Sequence, residues 1–326
     1  EKIMSVSFVR IDDRMIHGQT CTRWAREYPC DGLIAVNDKA ATNDVLNSEQ
    51  VFNEAIEANE GNEETKTQVN ELQVGKNAYT DEADATITLP TSADSPIKVT
   101  DLENQESNYT VQLPSEFEGN ANIEGDIAIY NSDSATELGL QNTEQGFRAL
   151  IKIDNETANH GYTFTFNLEE GQKLVTAAEY LGSEYDTGEV YIVDRDNIIT
   201  SIIDPAWAKD ANGGTIQTSY IVDGNKLTQT VEFDSNSAFP FVADPSAWKV
   251  TKCAAAISFA VGSTIFAAAK LVKIKKYIKT LGGIKITAKL LVGATTTAER
   301  LKVGGSALVG IAAVIFGVDD IRTYCR

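Results

Sequence analysis

The first residues alternate apolar and polar, MSVSFVRI, and predict a strand; a charged loop, DDRMIHGQ, follows, and then TCTRWAREY, in which Trp24 and Tyr28 fall four apart on one helical face. GLIAVND is a short apolar run bounded by Gly32 and Asn37. Strand, loop, helix, strand is the order of a parallel βαβ unit, and in such sheets ligands sit at the carboxyl ends of strands, where DDRMIHGQ lies.

The pattern then changes. NSEQVFNEAIEANEGNEETKTQVNEL is acidic and helix-favouring, with Val51, Phe52, Ala55 and Ile56 able to form an amphipathic turn or two before a stretch, Asn59 to Thr67, that cannot build a core. A short helix and a solvated linker are expected over 47–71. From 72 to 248 the texture is of short alternating runs, among them ATITLP, IKVTD, YTVQLP, FRALIKID, YTFTFNL and EVYIVD, separated by Gly, Asn, Asp or Pro. Such runs predict antiparallel sheets arranged as a sandwich or a string of hairpins. VDGN between TSYI and KLTQTVEF is the clearest turn, because Asp223 and Gly224 suit positive φ.

After residue 248 helical spacing takes over. Cys253–Ala269 and Val303–Val318 are free of charge, yet at 17 and 16 residues both are shorter than the ~20 of a comfortable membrane span. Between them Leu271, Ile274, Ile278 and Leu281 share one helical face while Lys273, Lys276 and Lys279 occupy the other, and Gly282-Gly283 breaks the helix before a second one carrying Lys285 and Lys289. The expected fold is α+β and multi-domain: a short βαβ fragment (1–46), an acidic helix and linker (47–71), an antiparallel β-sandwich-like domain (72–248) and a C-terminal cationic α-helical bundle (249–326).

Charge follows the same boundaries. The chain of 326 residues has a formal net charge of −19, divided as −1 over 1–46, −28 over 47–248 and +10 over 249–326. The acidic middle excludes a nucleic-acid partner. For the helical piece the sign reverses, and two accounts compete. One is a compact bundle with its lysines in water; the other is a membrane-active domain in which Lys270, Lys273, Lys275, Lys276, Lys279, Lys285 and Lys289 meet an anionic membrane surface, or bind a protein partner. Cationic helical bacteriocins share this texture in composition.

Candidate chemistry is sparse. The sheet region has no Ser-centred elbow, Gly-rich phosphate loop or HExxH, and DANGG at 210–214 lacks the alternating ligands of a calcium loop. No metal site and no cofactor is expected. His160 stands in a turn with no second His beside it. Cys253 and Cys325 bracket the helical piece 72 positions apart, and a disulfide between them would require an oxidising compartment. His17, after Arg10 and Arg14 in a loop entering a helix, could carry a phosphoryl group favoured by guanidinium donors and the helix N-terminus.

SFVRIDDRMIHGQTCTRWAREYPCDGLIAVND resembles the start of the IIB subunits of the mannose/fructose/sorbose class of the bacterial sugar phosphotransferase system. The resemblance implies that His17 corresponds to the phosphorylated histidine, charged by a IIA-type phosphodonor, with Arg10, Asp13 and Arg14 shaping the loop. It covers about 46 residues of a domain expected to be a doubly wound sheet. IDPAWAKDANGGTIQTSYIVDGNKLTQTVEF with AFPFVADPSAW resembles a β-rich module of secreted Gram-positive bacterial proteins, over roughly 145–248. It implies export to the cell envelope or beyond, whereas the start EKIMSVSFVRIDD has none of the parts of a signal peptide. The leading expectation is therefore an exported, non-catalytic β domain with a cationic helical domain that binds membrane or a partner, in a chimera with a IIB start. The alternative is a cytoplasmic phosphocarrier working through His17.

Overall fold

A computed structural model describes residues 47–60, 72–80, 84–132, 135–249, 251–262 and 265–325. The expected βαβ fragment of 1–46, with His17, Arg10, Asp13 and Arg14, lies outside the described residues. In chain order the elements are α1 (Ser48–Glu60), β1 (Asn77–Thr80), β2 (Ala85–Thr88), β3 (Ile97–Asp101), β4 (Tyr109–Gln112), β5 (Phe117–Glu124), β6 (Ile127–Ser132), β7 (Thr136–Asn142) and β8 (Gly146–Ile153). There follow β9 (Gly161–Leu168), β10 (Lys173–Thr176), α2 (Ala177–Leu181), β11 (Val190–Val193), β12 (Ile199–Ile203), β13 (Trp207–Lys209), β14 (Thr218–Asp223), β15 (Lys226–Val231), β16 (Phe241–Asp244) and β17 (Ala247–Lys249). The chain closes with α3 (Lys252–Gly262), α4 (Ala268–Leu281), α5 (Ile284–Gly293), α6 (Thr297–Ile315) and α7 (Asp319–Tyr324).

The strands form two antiparallel sheets. One has the order β1-β2-β3-β4-β9-β15-β14, and the other runs β10-β11-β12-β17-β8-β7-β6-β5, with β16 pairing both β8 and β13. Their facing sides share one apolar core, to which Ile97, Val111, Phe166 and Leu227 come from the first sheet and Tyr130, Leu140, Ile151 and Phe241 from the second. Alternation separates the two sheets' roles. In β3 every second residue is exposed, so the first sheet has one face in water, whereas all eight residues of β8 are buried, which requires cover on both sides. The α+β class with an antiparallel sandwich is what the sequence predicts; the second sheet is the middle of three layers.

Helices supply the third layer. At one end of the outer face Phe52 of α1 is fully buried, with Val51 and Ala55 beside it. A Cβ on Gly139 of β7 would stand 2.7 Å from the Phe52 ring, so the glycine leaves the space the ring fills. Ser48 Oγ donates to Glu137 at the same place. The amphipathic turn is thus docked on the sheet, where the sequence predicts a helix leading into a solvated linker. At the other end Tyr191, Val193, Ile199 and Ile202 form a continuous core with Ile257, Ile274, Ile278, Leu291, Leu308 and Ile311 of the C-terminal helices. The predicted stripe on α4 is the buried one: Ile274 and Ile278 are inaccessible and Leu271 and Leu281 pack against the same cluster.

Breaks in the helices have local causes. Gly282 ends α4 in the left-handed conformation at φ 95°, donating back to Ile278 and Lys279. Gly305, at φ 58°, kinks α6. Cys253 and Cys325 are joined by a disulfide that ties α3 to the end of α7. Among the described residues no helix is long and apolar enough to cross a membrane. In the β14–β15 hairpin Asp223 pairs with Lys226, and Gly224 alone has positive φ, at 60°. That places the glycine first of two central residues, as a II′ turn requires, while Asp223 stays in the strand.

Candidate functional site

Lysines are the predicted binding residues of the helical piece, and the structure distributes them unevenly. Lys270, Lys273, Lys276 and Lys279 of α4 and Lys289 of α5 are exposed, while Lys275 is half-buried and its ammonium is pushed to lower pKa by burial. Lys279 Nζ also donates to the carbonyl of Glu184 at 2.6 Å. Lys285 points the other way. Its side chain is 12% exposed and its Nζ lies 2.6 Å from Asp204 Oδ2, at the end of β12.

Around that contact lies a cluster the sequence did not single out. β11 and β12 pair Val190 with Ile203, so Glu189 and Asp204 follow at the end of the ladder, one on each chain. Val190 and Ile203 belong to the inter-sheet core and Tyr191 and Ile202 to the helix-covered core, so by strand alternation Glu189 and Asp204 flank the boundary under α5. Glu189 Oε2 accepts from Tyr191 Oη at 2.6 Å, from Thr187 Oγ1 at 2.9 Å and from the Ile284 N–H at 3.2 Å. The last donor is in the first turn of α5, where backbone N–H groups lack helical partners and a carboxylate is welcome. Gly283 is needed there, since a Cβ would come within 2.4 Å of the carboxylate.

Burial sets the protonation of this group. It pushes the Glu189 carboxyl above the ordinary value of 4.5, against the pull of the Tyr191 and Thr187 hydrogen bonds, and the Asp204 charge pushes the same way. Burial likewise lowers the Lys285 ammonium, opposed by Asp204. The Tyr191 hydroxyl is raised by burial and by the neighbouring Glu189 charge. A carboxyl held toward its neutral form thus accepts from the first N–H of α5, and the next residue of that helix brings a desolvated amine to a second carboxyl at the end of the same strand pair. The only sequence signal was a glutamate opening the apolar run EVYIVD; the Ile284 N–H that it accepts from is far along the chain.

A second polar group lies on the outer face of β8. Arg148, 1% exposed, has its Nε 3.8 Å from Asp244 Oδ2, and Lys152 pairs with Glu137 at 3.2 Å and Asp154 at 3.0 Å. Ser246 Oγ donates to Asp244, and Tyr220 Oη to the Asp244 carbonyl at 3.2 Å. His160 is an exposed turn residue stacked on Phe233 with ring centres 4.0 Å apart. Among the described residues no three His, Cys, Asp or Glu side chains are grouped to hold a metal ion.

Comparison with known proteins bears on the N-terminal part. The family model of PTS system sorbose subfamily IIB components matches residues 6–102. The PTS system fructose-specific EIIB component of Bacillus subtilis (strain 168) is 42% identical over 43 residues, 13% of this chain and 26% of that protein. The PTS system mannose-specific EIIAB component of Escherichia coli (strain K12) is 45% identical over 42 residues, 13% of each chain. The chain thus carries a IIB-like segment at its N-terminal end and spans about an eighth to a quarter of the length of these relatives. The family match runs on through α1 and β1 to β3, which here are a helix docked on the sheet and three antiparallel strands of the first sheet.

Proposed function

We propose that the chain's chemistry is phosphoryl transfer through His17, which accepts phosphate from a IIA-type donor and hands it on to a sugar, while residues 48–326 form a non-catalytic body. The observation that supports this is the IIB-like match covering DDRMIHGQ. A phosphoimidazole carries negative charge, and Arg10 and Arg14 are suited to hold it, with Asp13 fixing the loop. Incubation with a radiolabelled, phosphorylated IIA protein tests the reading. Acid-labile label is expected on the wild-type chain and is expected to be lost in His17→Ala; equal labelling of both, or of neither, removes phosphoryl transfer from consideration.

A second reading draws on the Cys253–Cys325 disulfide. A bond of this kind persists in oxidising compartments, as in an exported, envelope-associated body, while phosphoryl transfer from a IIA donor belongs to the reducing cytoplasm. In the exported reading the lysines exposed on α4 and α5 face anionic lipid from outside, without insertion, because the apolar faces of both helices are already packed in the core they share with the other C-terminal helices. Thiol titration of the chain from its native cells separates the two. Two protected cysteines favour export, and four free thiols favour the phosphocarrier. Flotation with phosphatidylglycerol vesicles then tests the lysine face; failure to float, or equal flotation with neutral vesicles, sinks lipid binding.

A further inference from the structure

We infer that Lys285 and Asp204 condense in the folded protein to a side-chain amide, a covalent bond that fastens α5 to β12, with Glu189 as the positioning and proton-transferring carboxyl. The reacting atoms are already adjacent, Nζ standing 2.6 Å from Oδ2. Both side chains are largely withdrawn from water, at 12% and 27% exposed, so the ammonium and carboxylate are poorly solvated and the neutral amine and acid become accessible. Glu189, 2% exposed, lies at the end of the same strand pair as Asp204, and Asp204's charge acts on it. Three hydrogen bonds converge on Glu189 Oε2, which leaves Oε1 to carry a proton.

The step balances without any further reagent. A proton passing from the ammonium to the carboxylate turns the ion pair into a neutral amine and a carboxylic acid. The amine nitrogen forms a bond to Asp204 Cγ, and Glu189 delivers its proton to the departing oxygen and recovers one from nitrogen. The C–O bond breaks, one water leaves, and the amide nitrogen keeps a single hydrogen. Fixed geometry replaces the encounter of two reactants, and exclusion of water disfavours the reverse hydrolysis. A surface ion pair such as Arg195 with Glu106, whose side chains are 60% and 70% exposed, has neither advantage.

Intact-mass measurement of the full chain decides the matter. The wild type is expected to be lighter than its sequence by one water, beyond the two hydrogens of the disulfide. A branched peptide containing both Asp204 and Lys285 is expected after proteolysis under denaturing conditions. Lys285→Arg keeps the ion pair and the fold, checked by its circular dichroism, and is expected at full mass. Glu189→Gln is expected to slow the appearance of the lighter species at least about a hundredfold, the contribution of one acid–base group. A wild type at full mass overturns the proposal, as does the same loss of water in Lys285→Arg, which would place a dehydration elsewhere. Condensation at an undiminished rate in Glu189→Gln removes that residue from the step.

Discussion

Glu189 shows how one side chain can link two layers. Its carboxyl is buried at the start of α5, where it satisfies the Ile284 N–H, and burial holds its pKa above 4.5. The folded chain therefore keeps this proton at pH values where the unfolded chain has released it. Between 4.5 and the folded value the native state binds more protons, so the stability Glu189 contributes is complete below that window and is lost as pH rises through it. Glu189→Gln is neutral at every pH and serves as the reference. The wild type is expected to gain on this variant in urea midpoint as the solution is acidified toward 4.5, and to lose ground as pH rises from there through the folded value. A difference independent of pH would show that the carboxyl titrates as in the unfolded chain. Little of this was visible in sequence. A glutamate before VYIV reads as the polar edge of a strand, and only the β11–β12 register and the seat of α5 bring it to the Ile284 N–H and within reach of the Asp204 charge.

Among the elements, strands were the more legible. Alternation marks β3, β9 and β15 because one face of each meets the shared core, and the Gly282-Gly283 break marks the end of α4 because only glycine takes that backbone cheaply. Which sheet a strand joins was not legible: residues 145–248 read as one module, yet β9, β14 and β15 lie in the first sheet and β11, β12, β16 and β17 in the second. The docking of α1 was hidden for a similar reason, since it depends on an absent side chain on another element. Phe52 is fully buried over Gly139, and the ring leaves no room for a methyl group. Gly139→Ala is expected to destabilise by about 1–3 kcal/mol, the usual cost of overpacking. Phe52→Leu in the same chain is expected to recover part of the loss, because the smaller side chain vacates the contested volume. Urea unfolding of the two single variants and the double variant checks this, and strict additivity would mean that ring and methyl do not compete.

For the whole of residues 47–326, charge decides how the layers respond to solvent. Residues 47–248 carry −28 and residues 249–326 carry +10, so the two attract, but −18 remains and the body repels itself on balance. Among the described residues, ion pairs join the two across the boundary at two lysines. Lys285 meets Asp204 in a half-buried contact, and Lys252 meets Glu103 at 3.1 Å and Asp84 at 3.5 Å on the surface, where solvent screens each bridge. Lys273 and Lys276, by contrast, stand in water on α4 and act through the general field. Reversing both, as Lys273→Glu with Lys276→Glu, deepens the net negative charge and weakens the attraction between helices and sheets without touching the core. The double variant is expected to melt below the wild type in dilute buffer. The gap is expected to close as salt shortens the reach of exposed charges to about 3 Å at 1 M. Added salt alone is expected to raise the melting temperature of the wild type, since the repulsion it screens exceeds the attraction. A thermal melting series against sodium chloride measures both effects. A gap that survives at high salt would mean that the two lysines make short-range contacts and act through packing.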